Sequence, residues 1–362
     1  MDQQNIIYTS PNSFAESDLS HQTHFDLRFY QWDNYREPQF ISLLCTSLRK
    51  CEKIQSLDLD LEKFPFKVKQ FVALCEVLSV LKTLQSIKLN FGYCKFQDVE
   101  ELITLGAAFK KLTNLTCLKF HFQQCEINDT LTISIVNGLG HLEKLKYLEV
   151  GLWMNQIAQE GATDLGIQLS CLKNLTNLIL YLGGNQIKDQ GAVAISKGIS
   201  ELKNLTDLIL MLWTNGIGND GASALGKALN NFKNLKCLEL NLEDNLIGDE
   251  GGNNILDVLS TCQNLSSLSF SLKQNETSDQ FNLNVSKCIC SINKLLSLEI
   301  RITENCNYFK FKGLLNCNHL QNLKIEIEET SYEFEQIVKK AALKLKRLIY
   351  LEIVNLQFME GG

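Results

Sequence analysis

Apolar residues recur along most of the chain in two alternating rhythms. In residues 175–205, LTNLILYLGGNQIKDQGAVAISKGISELKNL, Leu178, Leu180 and Leu182 alternate with Ile179, Tyr181 and Gly183. A period of two marks a β-strand with one buried face. The rhythm then changes. Ala192, Ile195, Ile199 and Leu202 step by 3, 4 and 3, which places four apolar groups on one face of a helix. Ala162, Leu165, Leu169 and Leu172 repeat that spacing, as do Ala222, Leu225, Leu229 and Phe232. Short loops rich in Asp, Glu and Gly precede the helices: KDQG before Ala192, GNDG before Ala222 and GDEG before Gly252. Acids there are expected to cap free backbone N–H groups and to suit the helix dipole.

The strand–helix unit is repeated. Copies of L-x-x-L-x-L-x-L-x-x-N start at Ile54, Leu84, Leu115, Leu145, Leu175, Leu205, Leu235, Leu265, Leu295, Leu320 and Leu348. Seven of the first eight steps are 30 residues and one is 31; the last two are 25 and 28. A fixed period in this range identifies a stacked repeat protein. The eleventh position holds Cys94, Cys125, Asn155, Asn185, Asn215, Asn245, Asn275 and Asn305 in eight successive units, whereas the first has Phe64. Asn both donates and accepts, so it can bond backbone groups at the turn after each strand. Parallel strands require a crossover such as the helix. Neither half of a unit can bury its apolar face alone, so neighbouring units must stack.

On these residues the chain resembles the ribonuclease-inhibitor-like leucine-rich repeat family. The shared features are L-x-x-L-x-L, then Asn or Cys, then Ile, Gly-Ala and an amphipathic helix, over roughly residues 22–356. The resemblance implies an α/β leucine-rich repeat solenoid, a horseshoe with parallel strands on the concave face and helices on the convex face. Such proteins usually bind other proteins on the concave face, and Cys is a familiar substitute for the ladder Asn. The family usually has one fewer x-L pair before the Asn, so longer concave strands are expected here.

By length alone, 362 residues suit two or three globular domains, but the unbroken repeat favours one elongated domain. Residues 1–20 are polar and are expected to be poorly ordered. Residues 21–53 read as an N-terminal capping unit, with Phe25, Leu27 and Phe29 on a degenerate strand and Ile41, Leu44, Leu48 and Cys51 on its helix. Residues 54–356 carry about eleven repeats, and 357–362 form a tail. The last strand, LEIVNLQF, is expected to have no helix after it. That apolar edge either docks a partner or a second copy, or is blunted by Glu352, Gln357 and Glu360.

The net charge of −6 and pI near 5.5 argue against nucleic acid as the main partner. The basic run Lys339, Lys340, Lys344, Lys346 and Arg347 reads as the solvated face of a helix whose apolar side is Val338, Ala342 and Leu345. Thirteen scattered cysteines, several at core or ladder positions such as Cys51, Cys317, Cys94 and Cys125, read as reduced thiols of an intracellular, cytoplasmic protein. The start, MDQQN, does not read as a signal peptide, and no apolar run reaches the length expected of a membrane span. Cytoskeletal or ciliary association stays open.

Candidate chemistry is sparse. Gly216-Ile-Gly218-Asn-Asp-Gly221 matches the dinucleotide pattern G-x-G-x-x-G, with Glu239 at a plausible distance. The parallel loops share only the last glycine, and Asp220 would face a pyrophosphate, so the match reads as a by-product of the repeat. The five histidines, His21, His24, His121, His141 and His319, are dispersed and show no metal-ligand spacing. No P-loop or nucleophile elbow occurs. A non-catalytic protein without cofactor or metal is expected.

The concave face is more informative. Outward strand positions follow from the alternation of side chains. In three central units they are Trp153, Ile179, Tyr181, Ile209, Met211 and Trp213, with hollows expected at Gly151, Gly183 and Gly184 and rim acids at Glu149, Glu239, Glu243 and Asp244. Exposed aromatics with an acidic rim suit a protein partner carrying apolar anchors and some basic residues. Alternatively the rings pack on one another, or the longer strand curls them inward. The expected function is an intracellular protein-binding scaffold. The alternatives are a small-GTPase regulator of the Ran GTPase-activating type and a structural subunit of a large assembly.

Overall fold

The computed structural model describes residues 7–19, 21–29, 39–96, 99–302, 317, 319–327, 339–340, 342–345 and 347–355. Asn305, Val338, Lys346, Gln357 and Glu360, singled out above, lie outside the described residues. The protein forms two compact units, Met1–Asn185 and Gln186–Gly362, each an α/β leucine-rich repeat solenoid. The sequence favours one elongated domain. Each coil of a solenoid touches mainly its neighbours, so such a chain has no single central core.

In the first unit the strands are β1 (Ile7–Tyr8), β2 (His24–Arg28), β3 (Ser56–Asp60), β4 (Ser86–Asn90), β5 (Cys117–His121), β6 (Tyr147–Gly151) and β7 (Asn177–Tyr181). The helices between them are α1 (Pro11–Glu16), α2 (Phe40–Leu48), α3 (Val68–Leu78), α4 (Val99–Lys111), α5 (Asp129–Val136) and α6 (Gln159–Ser170). The second unit holds α7 (Lys188–Ser200), β8 (Asp207–Met211), α8 (Asn219–Leu229), β9 (Cys237–Asn241), α9 (Asp249–Leu259), β10 (Ser267–Ser271), α10 (Asp279–Ser291), β11 (Ser297–Ile302), β12 (Asn322–Ile327) and β13 (Tyr350–Asn355). Within each unit the strands pair in parallel and in sequence order. Equivalent positions stand opposite one another, for example Leu118 with Leu148 and Leu148 with Leu178, and Leu208 with Leu238 and Leu238 with Leu268.

The two apolar rhythms become one core. Leu178, Leu180 and Leu182 are buried, as are Ala192, Ile195, Ile199 and Leu202. Backbone pairing runs past the five assigned strand residues. Leu152 N–H donates to Tyr181 O at 2.8 Å and Met154 N–H to Gly183 O at 2.8 Å; Leu212 and Thr214 do the same to Asn241 and Glu243. The additional x-L pair therefore lengthens the ladder. Its far end is a residue in the left-handed conformation, in the tenth position of eight successive repeats: Lys63, Tyr93, Gln124, Met154, Gly184, Thr214, Asp244 and Gln274. Only one of these is glycine, although the left-handed region costs other residues on the order of 1–2 kcal/mol. The bond to the next strand outweighs that cost. Thr214, β-branched with φ of 49°, carries the largest steric penalty. Thr214→Asn is expected to stabilise the protein by about 1 kcal/mol, seen as a rise in thermal midpoint; an unchanged or lower midpoint contradicts this.

The Asn ladder stitches coil to coil. Asn245 Oδ1 accepts from the N–H groups of Asn215 and Ile217, each at 3.0 Å, and its Nδ2 donates to Leu212 O at 3.0 Å and Leu242 O at 2.9 Å. Asn155 accepts from Cys125 and Ile127 and donates to Phe122 O and Leu152 O. At the cysteine positions only donation remains, from Cys94 Sγ to Leu61 O and Cys125 Sγ to Phe91 O. The Phe64 side chain, which cannot hydrogen-bond, packs instead against Phe40 and Phe66, with ring centroids 5.1 and 4.6 Å away.

The loop acids cap helices, but not their own. Asp189 Oδ1, at the start of α7, accepts from Gly218 N–H at 2.7 Å and Gly221 N–H at 2.8 Å, at the start of α8. Asn219 does the same for Gly248 and Gly251 ahead of α9. This explains the one recurring glycine: a Cβ on Gly221 would stand 2.8 Å from Asp189 Oδ1 and 3.0 Å from Ala192 Cβ.

The N-terminal region departs from expectation. Residues 7–19, read as poorly ordered, include β1 and α1. Ser10 Oγ caps α1 by accepting from Ser13 N–H, and β1 pairs with β2. Phe14 is fully buried between Tyr8 and Phe25, with centroids at 5.2 and 5.5 Å. The 21–53 unit is thus itself covered by a short strand–helix pair, too brief for its periodicity to show in the sequence.

Candidate protein-contact faces of the sheet

On the first unit's outward face, polar residues at equivalent positions pair laterally. Lys88 Nζ lies 3.3 Å from Asp58, and Asn90 donates to Asp60 at 3.1 Å. Further along, Glu149 is surrounded. His121 donates from Nε2 at 2.9 Å, Tyr147 OH donates at 2.9 Å, and Lys119 Nζ lies at 3.2 Å while also sitting 4.6 Å from the Tyr147 ring centroid. The hydrogen bond from His121, with those from Tyr147 and Lys119, outweighs burial and holds the Glu149 carboxyl down at about 2. Glu149, which the sequence places as a rim acid suited to a partner's positive charge, already has its charge answered within the face.

The expected hollow at Gly151 is filled. A Cβ there would stand 3.0 Å from His121 Cγ, so the glycine makes room for the imidazole. Gly92 likewise makes room for Gln123, whose side-chain amide would lie 2.1 Å from a Cβ. Past His121 come the aromatic residues. Tyr181 is half-buried, 6.3 Å from the His121 ring and 5.7 Å from Trp153. Trp153 is 40% exposed, Met154 beside it 47%, and Ile179 is half-buried. The rings do touch, as one alternative held, yet Trp153 keeps a large outward surface.

On the second unit, Ile209, Met211 and Trp213 are all half-exposed along β8 and its extension. The next strands carry an ion-pair network. Arg301 Nε lies 2.5 Å from Glu326 and its NH1 3.3 Å from Glu243; Lys324 Nζ reaches Glu299 at 3.0 Å and Glu326 at 2.5 Å. Glu243 also accepts from Ser271 Oγ at 2.7 Å, and Asp244 from Thr214 Oγ1 at 2.7 Å. Glu239, half-buried between these groups, makes no side-chain hydrogen bond or ion pair with the described residues. Burial, then the neighbouring Glu299 carboxylate, raises its acid above the ordinary range against the pull of Arg301 and Lys324. Two outward positions are covered rather than exposed: Asn241 and Ser271 are buried under their neighbours.

The two candidate acids therefore differ in sign. A depressed carboxyl adds stability above its unfolded value, and that stability is lost as pH falls. Glu149→Gln is expected to lower the thermal midpoint at neutral pH, with the deficit closing as pH falls from the ordinary 4.5 toward about 2. A raised carboxyl opposes folding once it is ionised. Glu239→Gln is expected to raise the midpoint at neutral pH, and the gain should vanish in acid. Midpoints of both variants from neutral pH to pH 2 check this; shifts of the same sign contradict it.

The dinucleotide-like loop is closed. Gly216 takes φ of +65°, Gly218 and Gly221 give their N–H groups to Asp189, and a pyrophosphate would meet that carboxylate. Among the described residues, no group of His, Cys, Asp and Glu side chains could hold a metal, and no helix is long and apolar enough to cross a membrane. Every described cysteine is a free thiol, and burial pushes Cys51 and Cys288 up to about 12, leaving them unreactive.

Two features escaped the sequence reading. One is the lateral pairing, for which a signal exists: opposite charges one repeat apart, as in Asp58/Lys88 and Lys119/Glu149. The other is a groove of about 740 Å³ at the starts of the second unit's strands, lined by Lys236, Asn264, Lys294, Leu296 and His319. It comes from loop positions that follow no apolar rhythm. The expected docking edge, β13, pairs with β12 on one side. Of the basic run, Lys339, Lys340, Lys344 and Arg347 are exposed while Ala342 and Leu345 are buried. Compared with family models and with characterised proteins, the chain matches none.

Proposed function

We propose that the chain is a non-catalytic protein-binding scaffold of the ribonuclease-inhibitor-like leucine-rich repeat kind, which captures a partner protein on its outward sheet faces. The observation that carries this reading is where apolar surface remains on faces otherwise closed by ion pairs. Trp153, Ile179 and Tyr181 on the first unit, and Ile209, Met211 and Trp213 on the second, offer large apolar surface outward. A side chain of that kind contributes to interfaces far more than it gains by standing in water. The fixed ion pairs around them argue for a preformed surface, which lowers the ordering cost of association. The described cysteines, all reduced, suit an intracellular setting. The test is capture from the native source on immobilised chain, with wild type against Trp153→Ala/Trp213→Ala.

A further inference from the structure

The carboxylates on the second unit's sheet face fall into two kinds. Glu243, Glu299 and Glu326 are held by Arg301 and Lys324, and Glu352 accepts from Tyr350 OH at 3.0 Å. Glu239 is the exception. Its carboxylate makes no hydrogen bond or ion pair with the described residues, although the residue is only partly exposed. Arg301 and Lys324 cannot turn to it without abandoning the acids they already bridge. In register, Ile209 on β8 stands opposite Glu239 on one side and Ser269 on β10 on the other, with Met211 opposite Asn241. An acceptor-only charge is thus flanked on one side by an apolar strip.

We propose that Glu239 is the specificity-determining residue of this face. It accepts the ammonium or guanidinium of a Lys or Arg on the captured partner, whose aliphatic stem lies along Ile209 and Met211. The inference rests on the sheet-face reading of function above. Adjacent strands stand about 4.8 Å apart, so one such side chain spans both contacts, its methylenes on apolar surface and its charge beyond them. A neutral donor would answer the hydrogen-bonding capacity of Glu239 but not its charge, which Glu299 also repels. A lone carboxylate does not hold a metal ion, and no metal-binding group forms among the described residues.

The probe is a phage-displayed library of random 12-residue peptides, selected on the full chain and on Glu239→Gln. A peptide selected on wild type is then synthesised with its basic residue and with norleucine in its place. On wild type the norleucine peptide should bind at least tenfold more weakly; on Glu239→Gln the two should agree within twofold. If Trp213→Ala weakens binding but Glu239→Gln keeps the full discrimination, the sheet face is the site and the role of Glu239 is overturned. If Trp213→Ala leaves binding unchanged, the peptides bind elsewhere, and the sheet-face reading falls together with this one.

Discussion

Asn245→Ala is expected to destabilise the protein by on the order of 3–5 kcal/mol, because each buried polar group left unpaired costs about 1–3 kcal/mol. The substitution strands the N–H groups of Asn215 and Ile217, which lose their acceptor, and takes one of two amide donors from each of the carbonyls of Leu212 and Leu242, which keep those of Asn215 and Asn275. Asn245 is 6% exposed, so water cannot readily replace it. The groups belong to two successive coils, so the loss falls on the contact that holds a solenoid together. Asn245→Cys is expected to cost less, because a thiol can still donate to a carbonyl, as Cys94 and Cys125 do. Urea or thermal unfolding of both variants gives the comparison. A loss below about 1 kcal/mol for the Ala variant, or a Cys variant less stable than it, would contradict the ladder's role.

Partner capture is expected to collapse in Trp153→Ala/Trp213→Ala with the fold retained. Each aromatic anchor at an interface is worth roughly 2 kcal/mol or more, about 30-fold in affinity. Trp153 and Trp213 lie outside the buried core, so circular dichroism and the thermal midpoint should change little. Ile209→Ser and Met211→Ser extend the test along β8. Capture within twofold of wild type in the double variant would remove the proposed contact surface.

Most of the fold was legible because one physical problem is solved again and again. A residue's place in its coil decides its burial, so eleven noisy copies report one answer. Leu178 and Leu180 mark the buried strand face, and Ala192, Ile195 and Ile199 the buried helix face; all are sealed. The ladder Asn was legible for the same reason. What lay outside the pattern was everything a neighbouring coil decides. Asp189 reads as a cap for its own helix, yet serves the next one. Gly151 reads as a hollow, yet His121 fills it. Glu149 reads as a free acid, yet three side chains one repeat or less away answer it. The left-handed tenth position leaves no glycine signature, because a backbone hydrogen bond to the next strand outweighs the steric cost at Lys63, Tyr93 and Thr214.

The candidate site was legible in outline only. Alternation along a strand tells which side chains point outward, but not which of them pair sideways. Of the acids named from the sequence, Glu149 and Glu243 are taken up by such pairs and Glu239, among the described residues, is not. Lateral partners sit one repeat away in sequence, so comparison at that interval separates spent charges from free ones. Outward apolar residues have no charge for a lateral partner to cancel, and Trp153, Ile209, Met211 and Trp213 all keep partly exposed surface.

Radical footprinting of the chain alone and in complex with the protein it captures from its native source is the most direct measurement. Trp153 and Trp213 should oxidise readily in the free chain and become protected several-fold in the complex, together with Met211. Oxidation of all three at the same rate in both states would place the partner elsewhere and refute a binding role for the sheet faces.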